Sequence, residues 1–180
     1  VVPEAFEAAC RDHPVKALCC TPTLQNPTTA TMSLARRAAL VAIARAHAVP
    51  IVEDDAYGLL PQESPPPLAA LAPELSFHIA GLAKHVSPAL RIAYLVAPDS
   101  RSGGRVRAAI RATAAMASPL TAAIATRWIM GGAAHQVRDA IRAEARARQR
   151  LAARLLPAGS FAAHPDGFHL WLTLPTGWTR

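Results

Sequence analysis

The sequence predicts an α/β fold, a mainly parallel sheet with flanking helices. Three observations carry this prediction. Short apolar runs recur along the first half of the chain: VKALCCTP (15–22), VPIVEDD (49–55), SFHIAG (76–81) and RIAYLVAP (91–98). A helical pattern lies between the first two and a proline-rich loop between the next two. Each run ends in polar or turn-forming residues, the order expected of strands joined by crossovers.

The elements follow in chain order. Residues 3–12 read as a short helix and 15–22 as a strand stopped by Pro22. LQNPTTATMS (24–33) is turn chemistry. Ser33 can cap a helix running to about His47, with Leu34, Ala38, Val41, Ala42 and Arg45 at helical spacing. Residues 49–55 form a buried strand whose end carries three carboxylates, and PQESPPPLAALAP (61–73) reads as loop. Residues 76–81 and 91–98 supply two more strands. After Asp99 a basic, alanine-rich helix begins near Arg101, another starts at Ser118 and Pro119, and 134–156 forms a long amphipathic helix. GFHLWLTLP (167–175) alternates as a strand should. Residues 1–120 are therefore expected to form part of a larger sheet domain. Residues 121–180 should form connecting helices and the start of a smaller α+β C-terminal domain. There are no internal repeats.

Composition narrows the function classes. The chain has 180 residues, 52% of them hydrophobic, enough for a real core and too many for a disordered chain. No uncharged apolar stretch is long enough to span a membrane. Glu4, Glu7, Arg11 and Asp12 interrupt any signal-peptide pattern. Three cysteines are too few for a disulfide framework, and adjacent Cys19 and Cys20 point to opposite faces of a strand, so a reducing cytoplasmic setting is expected. The formal net charge is +7, but most arginines fall among alanines between Arg101 and Arg154, as on solvated helix faces. Nucleic-acid contact is not expected from this segment. Val1 opens inside a helical pattern and the last residues follow a strand, so a segment of a longer protein is expected.

In open α/β sheets ligands sit beyond the carboxyl ends of the strands. Three candidate clusters fall there: Asn26 after the first strand, Asp54 to Tyr57 after the second, and Lys84 after the third. The acids Glu53, Asp54 and Asp55 could hold Mg²⁺, start a solvated loop, or face a cationic ligand with Tyr57 supplying a phenol. No phosphate-loop motif accompanies them. Lys84 is one of only two lysines, with Lys16, among 19 basic residues. It could be a snorkelling residue; a desolvated lysine can also form a Schiff base, which arginine cannot. Arg91, seven residues on, could hold a phosphate. An amine, a carboxylate, a phenol and a cation together describe a pocket for pyridoxal 5'-phosphate.

Four segments, in order, carry a resemblance. QNPTTATMS resembles the Asn-Pro-Thr-Gly segment of fold-type I, class I/II aminotransferases, EDDAY their Asp-x-x-Tyr, and GLAKHVSPALRIAYLV their Lys segment ending in Leu-Arg-x-Gly-Tyr. The likeness is clear from Pro14 to Pro98 and looser beyond, GFHLWLTLP included. It implies an incomplete aminotransferase-like large domain. It also implies a Schiff base on Lys84, Asp54 at the pyridinium nitrogen, Asn26 and Tyr57 at the phenolate oxygen, and Arg91 at the phosphate. Gly81 stands where the family often has a phosphate-binding Ser or Thr, so a backbone N–H would serve there. Thr29 and Ala89 replace family glycines. Glu53 and Asp55 match no family role. The family's glycine-rich phosphate turn, ring-stacking aromatic and substrate-carboxylate arginine would lie outside these residues. This segment alone is therefore expected to bind the cofactor weakly.

The wording is most similar to the MocR-type branch of GntR transcriptional regulators. That implies an effector-sensing domain taking an amino acid or amine, usually homodimeric. DNA would be bound only through a separate N-terminal winged-helix domain. The alternative is a free-standing aminotransferase, in which Lys84 and Asp54 are catalytic with Tyr57 beside them, and Lys84 moves the proton between substrate Cα and the cofactor. A remoter alternative is a Mg²⁺-dependent phosphotransferase using Asp54 and Asp55. No histidine or cysteine spacing marks a metal site. His78 and His169 are expected as packed or rim residues, Trp128, Trp171 and Trp178 as core or interface, and Cys19 and Cys20 as core.

Overall fold

A computed structural model describes residues 1–174, 177 and 178. Helix α1 (Pro3–Asp12) leads to strand β1 (Leu18–Cys20), helix α2 (Leu34–Ala46) and strand β2 (Ile51–Asp54). A short helix α3 (Leu68–Leu71) precedes strand β3 (Ser76–Gly81), and a 3-10 turn at Pro88–Leu90 precedes strand β4 (Ala93–Val96). Helices α4 (Ser100–Thr113), α5 (Pro119–Met130) and α6 (Ala133–Leu155) follow, then strands β5 (Phe161–Ala163) and β6 (Leu170–Leu172).

The main sheet has the order β1-β2-β3-β4. β1, β2 and β3 are parallel, with Leu18 beside Ile51 and Ile51 beside Ser76. β4 runs antiparallel to β3, pairing Gly81 with Ala93. The carboxyl ends of β1 to β3 and the amino end of β4 therefore share one edge. β5 and β6 form a separate antiparallel pair.

The main core lies where α1, α2 and α3 cover β1 and β2. Phe6, Leu18, Leu40, Val41, Ala44, Ile51 and Leu68 meet there. Full burial of side chains such as Leu40 and Ile51 stabilises by roughly 1.5–3 kcal/mol each. A second cluster packs Leu82, Val86, Leu90 and Ile92 against Ala125 of α5 and Ala134 of α6. Ser33, Asp99 and Ser118 cap α2, α4 and α5 by accepting from the backbone N–H groups of Arg36, Ser102 and Thr121.

Several expectations are corrected. The buried stripe of α2 is Arg37, Leu40, Val41 and Ala44, so Leu34, Ala38, Ala42 and Arg45 face solvent. The loop 61–73 contains α3, which the proline run concealed. The strands are shorter than their apolar runs; Arg91 lies outside β4 in a left-handed turn, φ 52°. β5 had no sequence signal of its own. Of the strand expected at 167–175 only 170–172 forms, and Pro175 lies outside the described residues. Cys20 is core but Cys19 is exposed. Burial, then the negative charge of Glu53, pushes the Cys20 thiol up to about 12. Trp128 packs against the second cluster, whereas Trp171 and Trp178 are exposed. No helix among the described residues is long and apolar enough to cross a membrane.

Candidate functional site

The loop after β1 is shaped by short hydrogen bonds. Thr29 N–H donates to Gln25 O at 2.7 Å and Gln25 N–H to Ala30 O at 2.9 Å. Met32 N–H closes the loop on Pro22 O at 2.8 Å. Thr29 has φ 63°, the conformation that the glycine of the similar family segment would take without strain. Ala89, by contrast, lies in the 3-10 turn and needs no glycine.

Buried Arg37 of α2 holds this loop from beneath. Its guanidinium donates to Met32 O at 3.1 Å, Pro22 O at 3.2 Å, Thr23 Oγ1 at 2.9 Å and Pro66 O at 3.1 Å. Both ends of the Asn26 loop and the proline-rich loop thus hang on one side chain. Burial pulls its pKa down, opposed by the nearby charges of Glu53 and Asp55. Sequence reasoning missed this residue. Its signal was an arginine at the head of an apolar stripe spaced 37, 40, 41, 44.

Along β2 the three acids separate. Glu53 is fully buried, and its carboxylate accepts from Leu68 N–H at 2.8 Å and Ala69 N–H at 2.9 Å, at the start of α3. His78 Nδ1 lies 3.2 Å from the same carboxylate, and its Nε2 lies 3.8 Å from Asp55 Oδ2. Asp55 fills the space that a Cβ on Gly58 would occupy, and its Oδ1 is buried without a partner among the described residues. Burial, then Glu53, raises its pKa. Asp54 alone stays exposed, beside a depression of about 550 Å³ lined also by Gln25, Thr28 and Arg36. Asp54 and Asp55 therefore do not form a paired cation site.

Tyr57 is the meeting point. It is buried with Leu24 and Leu60. Asn26 Nδ2 donates to its hydroxyl at 3.5 Å, a long contact that leaves both groups capacity for another partner. Lys84 Nζ stands 5.6 Å from its ring centroid. The Phe168 and His169 rings flank it at 6.4 and 5.9 Å. His169 Nε2 lies 3.3 Å from Gln25 O, so that nitrogen carries the proton.

Lys84 is set by its turn. Val86 N–H and Ser87 N–H both donate to Leu82 O, while Leu82 and Val86 are buried. This arrangement leaves Lys84 on the outer side, exposed, as the snorkelling alternative has it. A Cβ on Gly81 would meet Ala93 Cβ at 3.8 Å, an ordinary contact, so a serine would fit. The structure brings Asn26, Tyr57 and Lys84 together. Asp54, Gly81 and Arg91 share the same sheet edge without touching that group. Lys84, Asp54 and Arg91 have no ion-pair partner among the described residues.

The chain is 31% identical over 173 residues to YdeF, an HTH-type transcriptional regulator of Bacillus subtilis, covering 96% of this chain and 37% of that protein. It is 31% identical over 180 residues to YdcR, an HTH-type transcriptional regulator of Escherichia coli, covering 96% and 38%. The chain thus spans under two-fifths of the length of these relatives. The crystal structure of LysN, an α-aminoadipate aminotransferase from Thermus thermophilus complexed with N-(5'-phosphopyridoxyl)-L-leucine, superposes with TM-score 0.84 at 24% identity, covering 97% of this chain and 47% of that one. The profile of the family Aminotransferase class I and II matches residues 2–158. This chain belongs to the aminotransferase class I and II family.

Proposed function

We propose that this chain is part of a pyridoxal 5'-phosphate domain that senses an amino acid or amine within a transcriptional regulator. The observation that carries it is the cluster of Asn26, Tyr57 and Lys84 at the edge where β1, β2 and β3 end. The uncommitted donor set fits the cofactor. Lys84 would supply the amine for its aldehyde carbon and Asp54 the carboxylate for its ring nitrogen. The Asn26 amide and Tyr57 hydroxyl would hold its phenolate oxygen, and Arg91 with the backbone at Gly81 would hold its phosphate. Bound, the pyridine ring supplies an electron sink for a carbanion next to nitrogen.

The remaining work falls to the chain. Tyr57 carries the Lys84 Nζ over its ring face, which keeps the amine near the phenol. Asp54 would be the carboxylate that keeps the ring nitrogen protonated. Released from the cofactor, Lys84 can take a proton from a ligand's Cα and return it. Arg37 and Glu53 position the loops that carry Asn26 and Tyr57.

Similarity to HTH-type regulators over nearly the whole of this chain supports the sensing role. DNA contact is assigned to protein outside these residues. Residues 1–120 are read as large-domain structure and 121–180 as hinge helices and the start of a small domain. A homodimer suits the exposed Leu95, Val96, Met116, Leu120 and Met130.

The test uses the intact protein. Borohydride reduction after cofactor loading, followed by peptide mass spectrometry, should place the cofactor's mass on Lys84, and Lys84→Ala should abolish it. Modification of another lysine, or retained labelling in Lys84→Ala, would overturn the assignment. A transamination half-reaction with amino acids then separates a sensor from a working transaminase.

A further inference from the structure

A second cavity lies behind the lysine turn. It is half-enclosed, with a volume of about 190 Å³, and its walls include Leu59, Leu82, Val86 and Ile129. The residues with polar groups at its surface are His85, Tyr94, His135 and Arg138. An engineered cavity of about 150 Å³ lined by apolar side chains holds benzene, so this volume suits a six-membered ring with one small substituent.

The histidine indicates the substituent. His85 is 5% exposed, and neither ring nitrogen has a hydrogen-bond partner among the described residues. Nδ1 is sealed from solvent, so Nε2 is the nitrogen that a cavity ligand can reach. Burial first, then the positive charges of Arg138 and Arg142, lower its pKa and keep the ring neutral. An orphaned buried N–H is costlier than an orphaned acceptor, so the proton belongs on Nε2. The cavity thus offers the His85 N–H and the Tyr94 hydroxyl beside Arg138, whose Nε and Nη2 meet Asp139 Oδ1 at 3.1 Å and leave Nη1 without an ion-pair partner among the described residues.

We propose that this cavity binds a small apolar carboxylic acid, with its ring or branched body among Leu59, Leu82, Val86 and Ile129 and its carboxylate at Arg138 and His85. The acid is a ligand of a site separate from the cofactor edge. Lys84 and His85 are consecutive in one tight turn, Lys84 on its exposed side and His85 on its buried side, so the two sites are distinct.

The test is calorimetric titration of the intact, cofactor-loaded protein with benzoate, benzyl alcohol and benzylamine. Benzoate should show saturable single-site binding, benzyl alcohol should bind on the order of tenfold more weakly, and benzylamine not at all. Arg138→Gln should weaken benzoate about tenfold and leave benzyl alcohol within about twofold. Ala134→Leu, which fills the cavity, should weaken both ligands, with circular dichroism confirming that each variant is folded. Lys84→Ala should leave the benzoate affinity intact, so this proposal and the cofactor assignment fail separately. Absence of saturation, equal affinity for benzoate and benzylamine, benzoate binding untouched by both cavity variants, or its loss in Lys84→Ala would each overturn the proposal.

Discussion

The Lys84 ammonium stands 5.6 Å from the centroid of the Tyr57 ring. The ring is packed with Leu24 and Leu60 while its hydroxyl meets Asn26, so Tyr57 joins the core to the candidate site. Tyr57→Phe keeps the ring under Lys84 and removes only the hydroxyl. Cofactor affinity of the intact protein should fall about 3- to 10-fold, with stability changed by less than about 1 kcal/mol. Tyr57→Ala should instead cost about 3–5 kcal/mol through the cavity it leaves. Cofactor titration with Tyr57→Phe matching the parent protein would remove the hydroxyl from the site.

Glu53 does structural work that its position beside Asp54 disguised. Its two oxygens serve the backbone N–H groups of Leu68 and Ala69 in a fully buried setting. Glu53→Gln replaces one acceptor by a donor that faces another donor. Urea unfolding should show a loss of about 2–3 kcal/mol. Hydrogen exchange should show α3 opening first. An unchanged unfolding midpoint would mean that α3 is held by Leu68 burial alone.

Asp55 carries a pH dependence of known sign. Its folded-state pKa is raised by burial and then by Glu53, so ionisation disfavours the fold. Protonated Asp55 costs little at low pH, and the penalty grows as pH rises from the ordinary carboxyl value through the raised one. Asp55→Asn should therefore match the parent protein near pH 3 and exceed it in stability at neutral pH. Denaturation curves across that range check this, and a constant difference between the two proteins would exclude the burial argument.

What the sequence made legible was local. Asn26, Asp54, Tyr57, Lys84 and Arg91 sit in motifs whose spacing depends only on a strand end and the turn after it. Asn26, Asp54, Tyr57 and Lys84 fall at one edge because β1 to β3 run parallel, and Arg91 joins them because it precedes the antiparallel β4. The features that stayed hidden depend on partners distant in the chain. α3 is four residues long and starts after three prolines; it is completed by a carboxylate fifteen residues earlier. Arg37 reads as a surface arginine until Pro22, Thr23, Met32 and Pro66 surround it. The face of α2 was misread because an alanine-rich helix offers small residues on every side, and α1, β1 and β2 decide which are covered. Lys84 stands at the end of an apolar run, and the turn at 82–87 that buries its neighbours and turns it outward could not be read from that run.

The tie between α6 and the loop at 166 invites a double-mutant cycle. Arg146 Nε donates to Asp166 Oδ1 at 2.5 Å, Gln62 N–H donates to Oδ2 at 3.1 Å, and Arg146 Nη2 reaches Gln62 Oε1 at 2.8 Å. Burial alone would raise the Asp166 carboxyl, but the bonds from Arg146 and Gln62 outweigh it and hold the pKa below its ordinary value. A depressed carboxyl contributes stability that is complete above its unfolded pKa and lost as pH falls through the folded one. The Arg146 side chain is 38% exposed, so solvent screening keeps the pair's contribution small. Arg146→Gln, Asp166→Asn and the double variant should show a small stabilising coupling at pH 7 that vanishes in acid below the folded value. Asp166→Asn alone should cost more than Arg146→Gln, because Asp166 is buried and leaves Gln62 N–H without its acceptor, while the arginine can turn to water. A coupling that persists unchanged into acid would show that packing, not charge, joins α6 to the loop.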